Sequence, residues 1–290
     1  MNTPRYRYPE PLTTPKLITI QGQARGGKGS LARALQTSLE QDFRVYTIDQ
    51  GLKFRVFARM AIDQGFDYEN TDAIQDFVLN ADHQAEVVER LLAGANMPDD
   101  EFKDTYYQHK VSNVSGMFGK VSATHDVVID LLFKEVQAAV GLYDVIMIDG
   151  RAMQKYGDRL AADGVVDHIL AIDVVCEPLV AARRVTQLFA PVEELSNEDL
   201  IRLIYTTEDI SRRNSSDARR KRDPSVFLHE AFELDVLRPI ESDEQFDKMS
   251  AKAAEVGVLS IDNSFTRTLE QFTEPSIRLI RSVIERSLAI

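Results

Sequence analysis

Short, nearly unbroken apolar runs recur along this chain. They are Leu17-Ile18-Thr19-Ile20, Val45-Tyr46-Thr47-Ile48, Val145-Ile146-Met147-Ile148, His168-Ile169-Leu170-Ala171-Ile172 and Val256-Gly257-Val258-Leu259-Ser260-Ile261. Runs of this length without polar alternation belong to strands buried on both faces, as in a parallel sheet. The strands are expected at about 16–20, 44–49, 145–149, 168–173 and 256–262. Between them the spacing changes to the helical period. Leu31, Ala34, Leu35 and Leu39 share a face of a helix from Lys28 to about Glu40, and Phe54, Phe57, Ala58, Ala61 and Ile62 do so in 50–65. Further helices are expected over 126–140 and Glu177–Phe189. The last, about 274–288, has Pro275 in its first turn and a stripe of Ile277, Ile280, Ile284 and Leu288. Strand and helix patterns in alternation predict an α/β fold.

Two stretches break the alternation. Residues 1–15 hold Pro4, Pro9, Pro11 and Pro15 with no periodicity, and read as an extended or disordered tail. Residues 66–125 carry helix-like pieces such as 71–93 and no strong strand. They read as a subdomain inserted into a main body of 16–65 and 126–290.

In parallel sheets, ligands gather beyond the carboxyl ends of the strands. Asp49, Asp149 and Asp173 are expected there. At the end of the first strand stands Gly22-Gln23-Ala24-Arg25-Gly26-Gly27-Lys28-Gly29-Ser30. It fits G-x-x-x-x-G-K-[ST], except that Gly29 separates Lys28 from Ser30, and it has the strand–loop–helix context the motif requires. Glycines at Gly22, Gly26, Gly27 and Gly29 let main-chain amides converge on one anion, and the helix start adds positive dipole. In that reading Lys28 reaches the terminal phosphates and Ser30 ligates Mg²⁺. A plain glycine-rich turn is the alternative.

The chain has 290 residues and a formal net charge of -12. Such an excess of acid argues against general nucleic-acid binding, so an anion site must be built locally. With a single cysteine, Cys176, no internal disulfide can form. No leading apolar segment and no run of membrane-spanning length is present, so a reducing cytoplasm is the expected compartment. The five histidines show no metal-ligand spacing, and His168 reads as structural.

Against the acidic background, Arg212 to Arg222 holds six basic residues in eleven positions, with Arg183 and Arg184 upstream. Guanidinium groups suit the spread charge of a transferring phosphoryl group. A mobile basic segment could close over a bound nucleotide. The alternatives are a solvated helix face or a nucleic-acid patch. Asp149-Gly150-Arg151 ends a strand with an acid able to position Mg²⁺ or a sugar hydroxyl and an arginine able to hold a phosphate; a turn with a surface ion pair is the other reading. Asp49 to Arg55 repeats the theme, with Arg55 one helical turn beyond the second strand.

Taken in order, these segments resemble the cytidylate kinases, a branch of the nucleoside monophosphate kinases, over roughly residues 16–264. Gly22–Ser30 is similar to that family's G-P-A-G-S-G-K-G-T loop. Asp49–Arg55 resembles its D-T-G-A-M-Y-R turn, and Gly119–Ala123 its S-K-V-A-A segment. Asp149-Gly150-Arg151 matches D-G-R, and Arg183-Arg184 its paired arginines. Arg213–Arg220, with Pro224 beyond, resembles the lid pattern R-D-x-x-D-x-x-R-x-x-x-P. Ile261–Ser264 resembles I-D-T-S.

The resemblance implies a P-loop kinase fold, with an acceptor-binding insert at 66–125 and a basic lid at about 196–235. It implies ATP and Mg²⁺ as cofactors and a small phosphorylated acceptor, CMP or dCMP first. Lys28, Arg184, Arg213 and Arg220 would act on the transferring group. Asp49, Arg55, Asp149 and Arg151 would hold the acceptor. Departures fall on the acceptor side. Val128 stands where the family has a base-reading arginine, Ala152 replaces the aspartate after D-G-R, and Tyr106-Tyr107 replace an I-R pair. About 25 residues are inserted near 236–255. A different small phosphorylated acceptor, or a nucleotide-binding regulatory protein without turnover, are the competing expectations.

Overall fold

A computed structural model describes residues 6–219, 227–236, 242–265 and 268–288. In chain order the elements are β1 (Lys16–Gly22), α1 (Lys28–Leu39), β2 (Val45–Asp49), α2 (Gln50–Asp63), α3 (Thr71–Leu79), α4 (Ala81–Gly94), α5 (Asp99–Tyr106), α6 (His109–Phe118) and α7 (Ser122–Ala139). After these come β3 (Val145–Asp149), α8 (Met153–Ala162), β4 (Asp167–Val175), α9 (Pro178–Thr186), α10 (Asn197–Ala218), α11 (Leu228–Ala231), α12 (Asp243–Val256), β5 (Val258–Asp262) and α13 (Leu269–Leu288). The fold is α/β, with helices flanking one five-stranded parallel sheet of order β2-β3-β1-β4-β5. β1 sits at its centre, with Ile18 opposite Met147 of β3 and Leu170 of β4.

The unbroken apolar runs follow from this placement, because each strand buries both faces. Ile18, Ile20, Val145, Met147, Leu170, Ile172, Val174, Leu259 and Ile261 pack against α1, α12 and α13. The alternate residues face the other way. There Thr19 Oγ1 meets His168 Nε2 at 2.9 Å, and Gln21 Oε1 accepts the Gln154 amide of α8 at 3.1 Å. The second ring nitrogen of His168 meets Asp158 at 2.7 Å, so this buried histidine is fully engaged as part of the packing.

The chain divides into two compact units, Met1–Thr47 with Ala139–Ile290, and Ile48–Ala138. The first holds the sheet core. The second is helical and has its own core, which includes Val56, Phe57, Met60, Phe77, Phe118, Val128 and Leu131. Lys53 lies inside that unit, 1% exposed, with its ammonium 2.6 Å from Glu135 Oε2. Among the described residues no helix is long and apolar enough to cross a membrane.

Several boundaries differ from the sequence pattern for local reasons. The stretch 71–93 is two helices, because the Asn80 side chain caps α4 by accepting the amides of Asp82 and His83. β4 runs past Asp173 to Val175, so Asp173 lies within the strand rather than at its end. The helix expected over 177–189 stops at Thr186, where Gln187 takes the left-handed conformation at φ 60°. α13 begins at Leu269, which puts Pro275 inside the helix rather than in its first turn. The Gln271 carbonyl therefore loses its helical donor. Residues 6–15 have neither helix nor strand, yet are tied down: Arg44 bonds the carbonyls of Tyr8 and Pro9, and buried Asp144 accepts from Leu12 N at 3.1 Å and Arg44 N at 2.9 Å.

Candidate functional site

The loop between β1 and α1 owes its shape to its glycines. Gly22 has φ 138°, and a Cβ there would run into the Val174 carbonyl of β4. Gln23 then bonds Val174 O at 3.1 Å through its amide, and its side-chain oxygen accepts the Cys176 amide at 2.7 Å. The turn closes with Gly26 N on Gln23 O at 3.2 Å, and Arg25 takes a left-handed φ of 60°. Gly27 caps α1 at φ 105°, where a Cβ would stand 2.6 Å from Asn263 Nδ2. That Nδ2 donates to Gly26 O at 2.8 Å.

The start of α1 has no side-chain cap and no acidic residue in its first turn. Ser30 N and Leu31 N both bond the Gly27 carbonyl, at 3.1 and 3.0 Å, and the dipole makes this end of the helix positive. Lys28 adds an ammonium folded back over the loop, 3.3 Å from the Gln23 carbonyl. A negative ligand is what such an end accommodates.

Acidic and basic groups surround this loop in the sheet-bearing unit. A side chain at Gly29 would come within 3.8 Å of Asp149 Oδ2, so that carboxylate stands beside the residue preceding Ser30. Arg151 forms an ion pair with Asp217 of α10, which is 6% exposed. Asn214, one turn earlier, accepts the Ala24 amide through Oδ1 at 2.9 Å. Arg184 reaches the loop indirectly, donating to Asn263 O at 2.5 Å and to Cys176 Sγ at 3.5 Å. Arg213 has an exposed position on α10, and Arg220 lies outside the described residues. Ala152 caps α8 in the left-handed conformation, φ 52°, without a side-chain bond.

Asp173 lies on the sheet face opposite α1, in register with Gln21 and Ser260. It is 1% exposed and accepts the Leu228 amide at 3.0 Å. Burial pushes its carboxyl up to about 7; the Leu228 bond and the Lys28 charge oppose that rise, and Glu230 adds to it. Burial also raises the Cys176 thiol, against the pull of Arg184.

The helical unit has a polar cluster of its own. Asp49 caps α2, accepting Leu52 N through Oδ1 at 3.2 Å, while Oδ2 accepts the Tyr107 hydroxyl at 2.9 Å. The Tyr107 ring carries the Arg55 guanidinium at 4.3 Å from its centroid. Gly51 fits between Asp49 and Arg55, since its Cβ would meet Oδ1 at 3.1 Å and Nη1 at 3.2 Å. Arg55 Nε is buried and has no hydrogen-bond partner among the described residues.

The sheet-bearing unit thus gathers Gly22, Gly26, Gly27, Lys28, Gly29, Ser30, Asp149 and Arg184 about one loop, with Arg151 held by α10. Asp49 and Arg55 stand together in the helical unit. Sequence reasoning assigned no role to Asn214, Asn263 or Tyr107. Their motifs were visible, but the contacts link positions 190, 237 and 58 residues apart.

The family model described as cytidylate kinase matches residues 18–249. No curated protein matches the chain. Among solved structures, one described as TT1252 from Thermus thermophilus is 14% identical, covers 93% of this chain and 97% of its own, and has a TM-score of 0.39. A second, from the PezAT chromosomal toxin-antitoxin system of Streptococcus pneumoniae, is 13% identical, with coverages of 95% and 88% and a TM-score of 0.30. At those scores neither likeness bears on function.

Proposed function

The chain belongs to the cytidylate kinase family, and from that membership we propose that it transfers a phosphoryl group from Mg·ATP to a nucleoside monophosphate, CMP or dCMP first. The observation that carries the proposal is the 22–30 loop. Its backbone is bent by Gly22 and Gly27 at φ angles that side chains resist, and it opens onto a helix start without an acidic residue.

These residues fit the polyphosphate of ATP. A methyl group at Gly27 would press on Asn263, whose amide fixes the Gly26 carbonyl, so the loop admits only a glycine there. Gly22, Gly26, Gly27 and Gly29 would line the phosphates, and Lys28 would neutralise the terminal ones. For Mg²⁺, Ser30 is the proposed protein ligand, with Asp149 beside it; this ion commonly completes its shell with water and phosphate oxygens. Bound there, the metal would neutralise charge between the phosphates.

On the acceptor side, Asp49, Arg55, Asp149 and Arg151 are the proposed ligands. A buried Arg55 Nε without an acceptor among the described residues is a donor suited to a phosphate oxygen. An acceptor phosphate has its second pKa near 6, so it is already a dianionic nucleophile at neutral pH. No strong base is required, and catalysis consists of alignment and charge neutralisation. Arg184, Arg213 and Arg220 would cover the moving group. Arg151 must leave Asp217 or share it to contact a phosphate.

One observation favours a second reading, a different small phosphorylated acceptor. Val128 is fully buried in the apolar core of the helical unit, and Ala152 presents only a methyl, so neither can read a base edge. ADP release from Mg·ATP across all ribo- and deoxynucleoside monophosphates separates the two. Turnover with a pyrimidine monophosphate supports the first; ATP binding without turnover on the whole panel refutes it and leaves another acceptor, or a regulatory nucleotide-binding protein. Lys28→Ala should abolish turnover without unfolding the protein, and near-normal turnover in that variant would overturn the loop assignment.

A further inference from the structure

The C-terminal end of α10 carries a group suited to the nucleotide itself. α10 packs through Leu203 and Ile210 against Ala181 and Ala182 of α9 and against Cys176. One and two turns further along the same stripe come Asn214 and Asp217, where apolar contact gives way to polar. Asp217 takes Arg151 and Asn214 takes the Ala24 amide. Because that amide is a donor, it fixes the carboxamide with Oδ1 toward the loop. Asn214 Nδ2 is then buried, close to a loop shaped for an anion, and has no hydrogen-bond partner among the described residues. Burying an amide donor without an acceptor is costly, so an arrangement that keeps it calls for a missing partner. The lid pattern quoted above has an acid at this position. A carboxylate there would oppose a polyphosphate; a carboxamide can donate to it.

We propose that Asn214 binds the nucleotide directly, its Nδ2 donating to a polyphosphate oxygen while its Oδ1 holds Ala24 in the loop. This rests on the reading of residues 22–30 as a nucleotide site. It makes the end of α10 sensitive to the ligand, since one side chain touches loop and phosphate at once.

The test is direct ATP and ADP binding by calorimetry on the full chain, for the wild type, Asn214→Asp, Asn214→Leu and Lys28→Ala, with thermal melting of each nucleotide-free protein. Asn214→Asp keeps an oxygen for the Ala24 amide but loses the donor. It should melt with the wild type and bind ATP at least about tenfold more weakly, a loss of about 1.4 kcal/mol. Charge repulsion alone is excluded if the neutral Asn214→Leu also binds ATP at least about tenfold more weakly, since salt screens a buried contact poorly. Asn214→Leu should lose affinity and melt earlier. Binding by Asn214→Asp or by Asn214→Leu within about twofold of wild type overturns the proposal and leaves the nucleotide site standing. Failure of the wild type to bind ATP or ADP, or unchanged binding by Lys28→Ala, overturns the site and the proposal with it.

Discussion

Asp173 should make this protein less stable as pH rises toward neutrality, and Asp173→Asn should remove that trend. The carboxyl lies within β4, 1% exposed, with its charge raised in energy by burial and only partly offset by the Leu228 amide and Lys28. Its pKa rises from 3.8 to about 7. The folded state therefore holds a proton that the unfolded chain releases between those values. Its stabilising contribution is complete below pH about 4 and is lost as pH rises through about 7. Three pH units at 1.36 kcal/mol each set a ceiling of about 4 kcal/mol, and relaxation of a buried site brings the expected loss to about 2 kcal/mol. Asparagine occupies the same volume, can accept the Leu228 amide and has no charge to bury. The assay is urea unfolding of both proteins at pH 4.5, 6 and 8, read as the difference between them. That difference cancels the self-repulsion that a net charge of -12 imposes on both. The excess of the variant over the wild type should grow from about 1 kcal/mol at pH 4.5 to about 2 kcal/mol at pH 8. A difference independent of pH, or a variant weaker than wild type at pH 8, would refute the reasoning.

Glu135→Gln leaves the ammonium of Lys53 buried without its counter-charge and should cost about 2 kcal/mol in urea unfolding, while Lys53→Met should restore most of it. Ala152→Gly relieves a left-handed alanine at φ 52°, and since the relief of about 1 kcal/mol is largely offset by the added chain entropy, it should raise the melting temperature by about 1 °C rather than lower it. Tyr107→Phe keeps the ring under Arg55 but frees Asp49 Oδ2, and should raise the acceptor KM a few-fold at constant kcat; Tyr107→Leu should raise it further, and equal KM values in all three proteins would remove Tyr107 from the acceptor site.

The sequence by itself determined the class of fold and the place of the glycine-bent loop between β1 and α1. Both are local: a strand buried on both faces shows as an unbroken apolar run, and a loop bent as sharply as 22–30 needs glycines within a few residues. The same locality is why Ser30, Lys28 and Gly27 could be proposed from spacing alone. Only the tertiary structure decided which groups answer one another. Arg151 met Asp217 and Asn214 met Ala24 because α10, packed on α9, brings its last polar turn to the loop. Arg184, proposed to cover the transferring group, bonds the Asn263 carbonyl and the Cys176 sulfur, partners that the sequence did not show. Asp173 was read as a strand-end acid, and became a buried carboxyl when β4 continued to Val175. Periodicity shows that a face is buried but not what lies across from it, and charge and hydrogen-bond partners are set there.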